Sequence, residues 1–193
     1  MTGTTHQMIA LVSAGWMLTL HPTVAGPLIG TLAVVSVMVG ALTPDFDHPA
    51  ANIGRRLLGG RQLGRIFRAG LGGHRHITHS LLGIILIGWA ARWAAIQLVN
   101  PAYTEEALLL WHAYMIGYIS HPVADTFTDR GVPWFLPLPW QMKLPPGPEE
   151  VRVTTNSFVE HLFVRGGALV VAVLLAQAYW SVFVAFFTHV PTL

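Results

Sequence analysis

Long apolar segments constrain the fold of this chain more than any other feature of its sequence. Three of them, at residues 23–42, 80–99 and 167–187, are as long as the roughly 20 residues that a helix needs to cross a bilayer. Two shorter ones cover residues 7–20 and 107–119. Only 10% of the 193 residues are charged, against about 25% in a typical soluble domain. A water-soluble globule is therefore nearly excluded.

These segments predict an all-α fold, a polytopic membrane bundle with about five transmembrane or membrane-embedded helices. The length of the chain suggests a single domain over residues 1–193. The first apolar segment has no Lys or Arg before it and no clean small-residue cleavage site. We therefore interpret it as a retained span rather than as a signal peptide.

The cationic residues predict the orientation of the bundle, because cytoplasmic loops carry an excess of Lys and Arg. The connections near His21 and at residues 100–103 contain no Lys or Arg. The rule therefore places the N-terminus and two long loops in the cytoplasm. We expect the protein to be integral to the cytoplasmic (inner) membrane. The net charge of +2 is too small to suggest a nucleic-acid partner, whereas a basic loop suits anionic lipid head groups. The cations of the two loops are Arg55, Arg56, Arg61, Arg65, Arg68 and Arg75 in the first, and Arg130, Lys143, Arg152 and Arg165 in the second.

Most histidines and many acidic residues fall at the cytoplasmic ends of the predicted spans. Because successive spans alternate in direction, these positions come to one membrane depth although they are far apart in the sequence. Ionisable residues are costly to place near a membrane, and a group of them indicates a functional site. The group consists of His6, Asp45, Asp47, His48, His74, His76, His79, His121, Asp125, Asp129, Glu160 and His161.

The residue types and spacings in this group indicate a metal site. His121 and Asp125 are four residues apart, and His76 and His79 are three apart, so each pair lies on one helical face. The chain has no cysteine, which excludes thiolate sites and disulfides. Imidazole and carboxylate ligands suit zinc, manganese or iron. Carboxylates from several segments can also bridge two or more ions, an arrangement that serves phosphoester cleavage.

Structural alternatives stay open for several of these residues. Residues 157–160 match a capping box, in which Glu160 only begins the last helix. Asp45 and Asp47 suit a turn with side-chain capping. Only one of His74 and His76 is expected to face the site.

Three motifs resemble those of the membrane-bound metal-dependent hydrolases, the YdjM-like family linked to LexA regulation. Residues 40–49 (GALTPDFDHP) resemble its G-x-L-x-P-D-x-D-H motif, and residues 74–80 (HRHITHS) resemble H-R-G-x-T-H-S. Residues 117–131 (GYISHPVADTFTDRG) resemble G-x-x-S-H-x-x-x-D-x-x-T-x-x-G, and an early histidine matches His6. The pair His121 and Asp125 is also similar to one in the helical zinc-dependent phospholipase C and P1 nuclease group.

The resemblance implies a metal-dependent hydrolase with Asp45, His79, His121 and Asp125 as core ligands, completed by His6 and Asp47. His76 stands where the family has glycine, and is either an added ligand or a tolerated substitution. We expect zinc, or alternatively manganese, with two or more ions.

The leading hypothesis is that the enzyme cleaves a phosphoester of a lipid or lipid-linked substrate at the cytoplasmic membrane face. Glu160 or Asp129 is expected to act as general base or bridging ligand. Arg75 is expected to neutralise charge on a phosphoryl oxygen, or is one more positive-inside residue. The loop at residues 131–148, with two tryptophans, is interpreted as a lid or a membrane anchor. The rivals are a di-iron hydroxylase or desaturase and a non-enzymatic metal-binding or transport protein.

Overall fold

The computed structural model describes residues 1–23, 25–47 and 77–188, which are mostly helical apart from a long irregular connection at residues 126–159. Isolated bridges join Thr128 to Val153 and Val132 to Met142, but the described residues contain no β-strand. The predicted all-α fold is therefore confirmed for this part of the chain. The α-helices are α1 (Gly3–Leu20), α2 (Gly26–Leu42), α3 (Leu81–Leu98), α4 (Thr104–Asp125), α5 (Gly166–Ala178) and α6 (Trp180–Thr188). Shorter 3-10 turns cover Thr43–Asp47, Ile77–His79, Pro101–Tyr103 and Glu149–Val151, and a π-helix covers Glu160–Arg165.

Three helical stretches are long and apolar enough to cross a membrane: Gly26–Asp45, Leu81–Leu98 and Glu160–Ala178. They overlap the three long apolar segments of the sequence. The two shorter segments form α1 and α4, helices of 18 and 22 residues that are not among these candidate spans. Membrane-spanning helices are thus present, while a total of about five spans stays a prediction.

The last apolar segment, predicted as one span over residues 167–187, is not a single helix. α5 ends at Ala178, and Tyr179 leaves the helical conformation at φ −125° and ψ 30°. α6 then packs against the start of α2, where the Ala25 N–H donates to the Phe186 carbonyl at 3.1 Å. This tertiary contact explains the break. The candidate span begins earlier, at the π-helix, and is Glu160–Ala178.

The helices α2 and α4 run in the same direction and cross in close contact. A Cβ at Gly40 would collide with the Tyr114 carbonyl oxygen, and one at Gly117 would collide with the Val37 carbonyl oxygen. Small residues at a crossing allow two membrane helices to approach this closely. Because the crossing lies near the end of α2, it brings that end beside the last turns of α4.

The beginning of α3 is held at the same end of the bundle. The buried Tyr118 hydroxyl of α4 donates to the Thr78 carbonyl at 2.8 Å. Ser80 caps α3 by accepting from the Gly83 N–H at 3.1 Å. A Cβ at Gly83 would collide with the Ile77 carbonyl oxygen, so the turn before α3 is tight. These contacts fix the position of the residue between Thr78 and Ser80, which is His79.

Candidate metal centre

Five side chains converge where α1, α2, α3 and α4 meet. His6, His79, His121 and Asp125 are fully buried, and the Asp45 side chain is 24% exposed. They form two overlapping groups whose candidate ligand atoms lie within 4.8 Å of one another, and His121 belongs to both. The groups are His6, Asp45 and His121, and His79, His121 and Asp125. The structure thus brings together every predicted metal ligand whose side chain it describes.

The carboxylates lie between the imidazole rings. Asp45 Oδ1 lies 3.6 Å from His79 Nε2 and 3.5 Å from His121 Nε2. Asp125 Oδ2 lies 3.9 Å from His79 Nε2 and 3.7 Å from His121 Nε2. Asp125 Oδ1 lies 3.2 Å from His6 Nε2. Each carboxylate therefore faces more than one imidazole nitrogen.

The orientation of His121 is fixed by the end of α2. Its Nδ1 lies 2.6 Å from the Ala41 carbonyl oxygen, which can only accept a hydrogen bond. Nδ1 must therefore carry the proton, and Nε2 presents its lone pair toward the carboxylates. Nε2 is buried and has no hydrogen-bond partner among the described residues. Histidine ligands of metals are typically oriented in this way, by a carbonyl that accepts from the second ring nitrogen.

The rings of His6 and His121 are stacked, with centroids 3.5 Å apart and an angle of 8° between their planes. His79 meets His121 edge-on at 5.0 Å. At this distance two imidazolium ions would repel each other, so the stacking disfavours a positive charge on both rings at once. Neutral imidazole is the form that binds metal ions.

Asp125 is paired with the amino group of Met1, which donates to its Oδ1 at 2.6 Å. This positive partner favours the charged form of the carboxyl group. A buried carboxylate among imidazoles is a strong ligand for a divalent cation. The donor set therefore fits a metal ion.

Glu160 lies in the π-helix and is held by the first turn of α1. Its Oε1 accepts from the Thr2 N–H and the Thr2 hydroxyl, both at 2.7 Å, and from the Thr5 hydroxyl. Its Oε2 accepts from the Asn156 N–H at 2.7 Å. The Glu160 N–H donates to Ser157 Oγ at 3.2 Å, as in the helix start that the capping-box motif predicts. These contacts favour the structural alternative, and a catalytic role for Glu160 stays a prediction.

Arg165 completes the same network, which the sequence did not indicate. Its Nε donates to the Thr5 hydroxyl at 2.9 Å and its Nη2 to the Thr2 hydroxyl at 2.6 Å. Glu160 and Arg165 are five residues apart, the spacing of the hydrogen bonds in a π-helix. Because Thr5 precedes His6, this network fixes the end of α1 that carries a candidate ligand.

The other predicted site residues are not among the five converging side chains or lie outside the described residues. Asp129 Oδ1 is buried and has no hydrogen-bond partner among the residues that the structure describes. Asp47 lies in the turn that follows α2, and nothing is described of its side chain. His161 is exposed and contacts the Asn156 side chain, apart from the five converging residues. The residues His48, His74, Arg75 and His76 lie outside the described residues.

Comparison with known proteins identifies the family. A family model described as "YdjM inner membrane protein" matches residues 1–190. The chain belongs to the YdjM family. The resemblance seen in the motifs is therefore confirmed, and the chain is a membrane protein of this family. No solved structure matches the chain significantly.

Curated relatives share this membership. The chain is 34% identical over 113 residues to the inner membrane protein YdjM of Escherichia coli K12, covering 58% of this chain and 53% of the relative. The YdjM protein of Shigella flexneri matches equally. The uncharacterized protein YvsG of Bacillus subtilis is 29% identical over 170 residues, covering 86% of this chain and 89% of YvsG. The match thus spans about half the length of the YdjM proteins.

Proposed function

We propose that this protein is a membrane-bound metal-dependent hydrolase that cleaves a phosphoester of a lipid or lipid-linked substrate at the cytoplasmic face of the inner membrane. The observation that carries the proposal is the buried convergence of three imidazoles and two carboxylates, with His121 Nε2 oriented by the Ala41 carbonyl. A structural role does not explain why such polar groups converge in an apolar bundle, since burying them is costly.

The five converging residues, which come from different parts of the chain, are the proposed ligands of the metal ions. The two overlapping ligand groups share His121, whose one free lone pair can bind a single cation, while Asp45 belongs to one group and Asp125 to the other. A second cation would be held by the carboxylates. When bound, zinc or manganese would polarise a phosphoryl oxygen and lower the pKa of water to about 7. Asp45 is the partly exposed member of the cluster, and its side is therefore the side from which substrate reaches the centre.

Asp129 is the described residue best suited to hold a proton during the reaction. Its Oδ1 is buried without a hydrogen-bond partner among the described residues, and Asp129 follows Asp125 by four positions. Glu160 is less suited because both of its carboxylate oxygens already accept hydrogen bonds. Arg75, which lies outside the described residues, is proposed to bind phosphoryl oxygens.

The orientation follows from the distribution of cations rather than from the fold. We propose that α1 and α4 are membrane-embedded along with the three candidate spans, giving about five. The N-terminus, the metal centre and the two basic loops then lie on the cytoplasmic side. The centre lies at one end of the bundle, and this position suits a substrate whose head group lies at the membrane surface.

The decisive experiment combines metal analysis with a substrate panel. Purified protein is analysed for bound metals and assayed, with added Zn²⁺ or Mn²⁺, against phosphatidic acid, polyprenyl phosphates and phosphodiesters. We expect two or more zinc or manganese ions per chain and release of product that a chelator abolishes. Iron with a near-ultraviolet oxo-bridge absorption band would instead identify a di-iron oxidoreductase. Bound metal with no hydrolysis of any panel member would favour a binding or transport protein.

A further inference from the structure

An apolar cavity of about 260 Å³ lies between α1, α5 and α6. Met8, Val12 and Gly15 line it from α1, Ala172 and Ala176 from α5, and Phe183 from α6. Small residues predominate on the α5 side, which leaves a furrow rather than a packed helix contact. Leu11 and Leu169 at its border are 37% and 59% exposed, so the furrow is open to the surface that faces lipid.

The furrow has a polar end. Ala172 and Ala176 follow Arg165 by seven and eleven positions, and Met8 and Val12 follow Thr5 by three and seven. Residues at these spacings share one helical face, so the furrow continues from the Arg165–Thr5 pair. The guanidinium uses Nε and Nη2 for the threonine hydroxyls, while Nη1 makes no hydrogen bond within the described ranges. A cationic group thus stands at one end of an apolar slot.

We propose that this furrow binds one hydrocarbon chain of an anionic phospholipid, with its phosphate at Arg165. The charge of Arg165 and its planar N–H groups suit a phosphate, and the small side chains suit a linear chain. Thr5 directly precedes His6, whose ring lies in the metal centre. The inference rests on the proposed function in one respect, because it makes this lipid the substrate or a product held beside the centre.

Photo-crosslinking in nanodiscs tests the furrow without relying on hydrolysis. The probe is phosphatidic acid with a diazirine in its acyl chain, and labelled peptides are mapped by mass spectrometry. We expect labelling of α1 and α5 to exceed that of α3. Ala172→Leu should reduce the furrow labelling about tenfold, the loss expected when a larger side chain excludes two methylene groups of the ligand. The matched control is Ala90→Leu on the exposed face of α3, which should leave the labelling unchanged.

The phosphate end is tested with a diacylglycerol probe that has the same chains. The wild-type protein should prefer the phosphatidic acid probe, Arg165→Gln should lose this preference, and Arg165→Lys should retain part of it. Equal labelling of furrow and α3, or equal reduction by Ala172→Leu and Ala90→Leu, would overturn the proposal. Furrow labelling together with no hydrolysis in the substrate panel would keep the lipid site and overturn the hydrolase.

Discussion

At the scale of single residues, His121 connects the fold to the chemistry. Its Nδ1 is bonded to the end of α2, and its Nε2 faces Asp45 and Asp125. It belongs to both ligand groups. Removing this one ring therefore removes a ligand from each group, whereas most other changes in the centre affect only one.

His121→Ala and Asp125→Ala are expected to abolish bound metal, because each removes a direct ligand of the proposed centre. Metal content per chain, measured on purified variants by mass spectrometry, checks this. His112→Ala is the matched control, since His112 lies in the same helix but is exposed and outside both groups. Equal loss of metal in all three variants would contradict the proposed centre.

Glu160→Gln is expected to lower the metal affinity about tenfold without abolishing binding. This is the lower end of the loss of affinity seen when a residue that supports a metal ligand is replaced. Its carboxylate holds Thr2 and Thr5, and through them the turn that carries His6. Thr5→Ala should have a similar effect, because it removes the same link. Metal titration of the purified variants measures both affinities. If Glu160→Gln abolishes hydrolysis while its metal affinity stays at the wild-type value, Glu160 is a catalytic base and not a support.

At the scale of elements, the crossing of α2 and α4 positions most of the centre. Gly40 and Gly117 allow carbonyl groups of the partner helix to approach where any side chain would collide. Asp45 follows α2, while His121 and Asp125 end α4. The two helices thus carry three of the converging side chains, and their separation sets the distance between them.

Gly117→Ala is expected to destabilise the protein by about 3 kcal/mol, because the added methyl group collides with the Val37 carbonyl oxygen. Gly167→Ala in α5 is the matched control. A Cβ there meets nothing within 4 Å, so this variant should gain about 0.5–1 kcal/mol from helix propensity. Thermal unfolding in detergent compares the two. Equal midpoints would show that the two helices tolerate a wider separation.

The sequence was sufficient for the parts of the fold and site that depend on one-dimensional patterns. Apolar length predicted the long helices, and alternation of direction predicted that His6, His79 and His121 converge. The break at Tyr179 could not be predicted, because it depends on the packing of α6 against α2. The bonds from Arg165 to Thr2 and Thr5 also depend on tertiary contact, since these residues lie at opposite ends of the sequence.

At the scale of the whole molecule, the described helices expose many large apolar side chains, and their buried ionisable side chains gather at one end of the bundle. Trp89, Trp93 and Leu98 of α3 are 69%, 55% and 79% exposed, as expected for side chains that face lipid. In contrast to these exposed side chains, His6, His79 and Asp125 are fully buried. The described part of the bundle is therefore polar inside at the candidate metal centre and apolar on the outside of its helices, the reverse of a soluble protein.

Cysteine labelling tests the orientation proposed for this arrangement. The chain has no cysteine of its own, so Ala102→Cys and Glu150→Cys each introduce a single exposed thiol. In intact cells, a membrane-impermeant reagent is expected to label the first, between α3 and α4, and not the second, between α4 and α5. Permeabilised cells provide the control for reactivity. Labelling of both positions from the same side would contradict the topology.

The converging ligands come from distant parts of the chain, and this has a mechanical consequence. A cation that binds His6, Asp45, His79 and His121 together would act as a cross-link between the first helix and the ends of the next three elements. Such a link stabilises the folded chain, because the ligands come together into one site only when the chain is folded. A chelator should therefore loosen the bundle as well as stop the reaction. At a free metal concentration of 100 times the dissociation constant, the loss of the link would cost about 2.7 kcal/mol of stability.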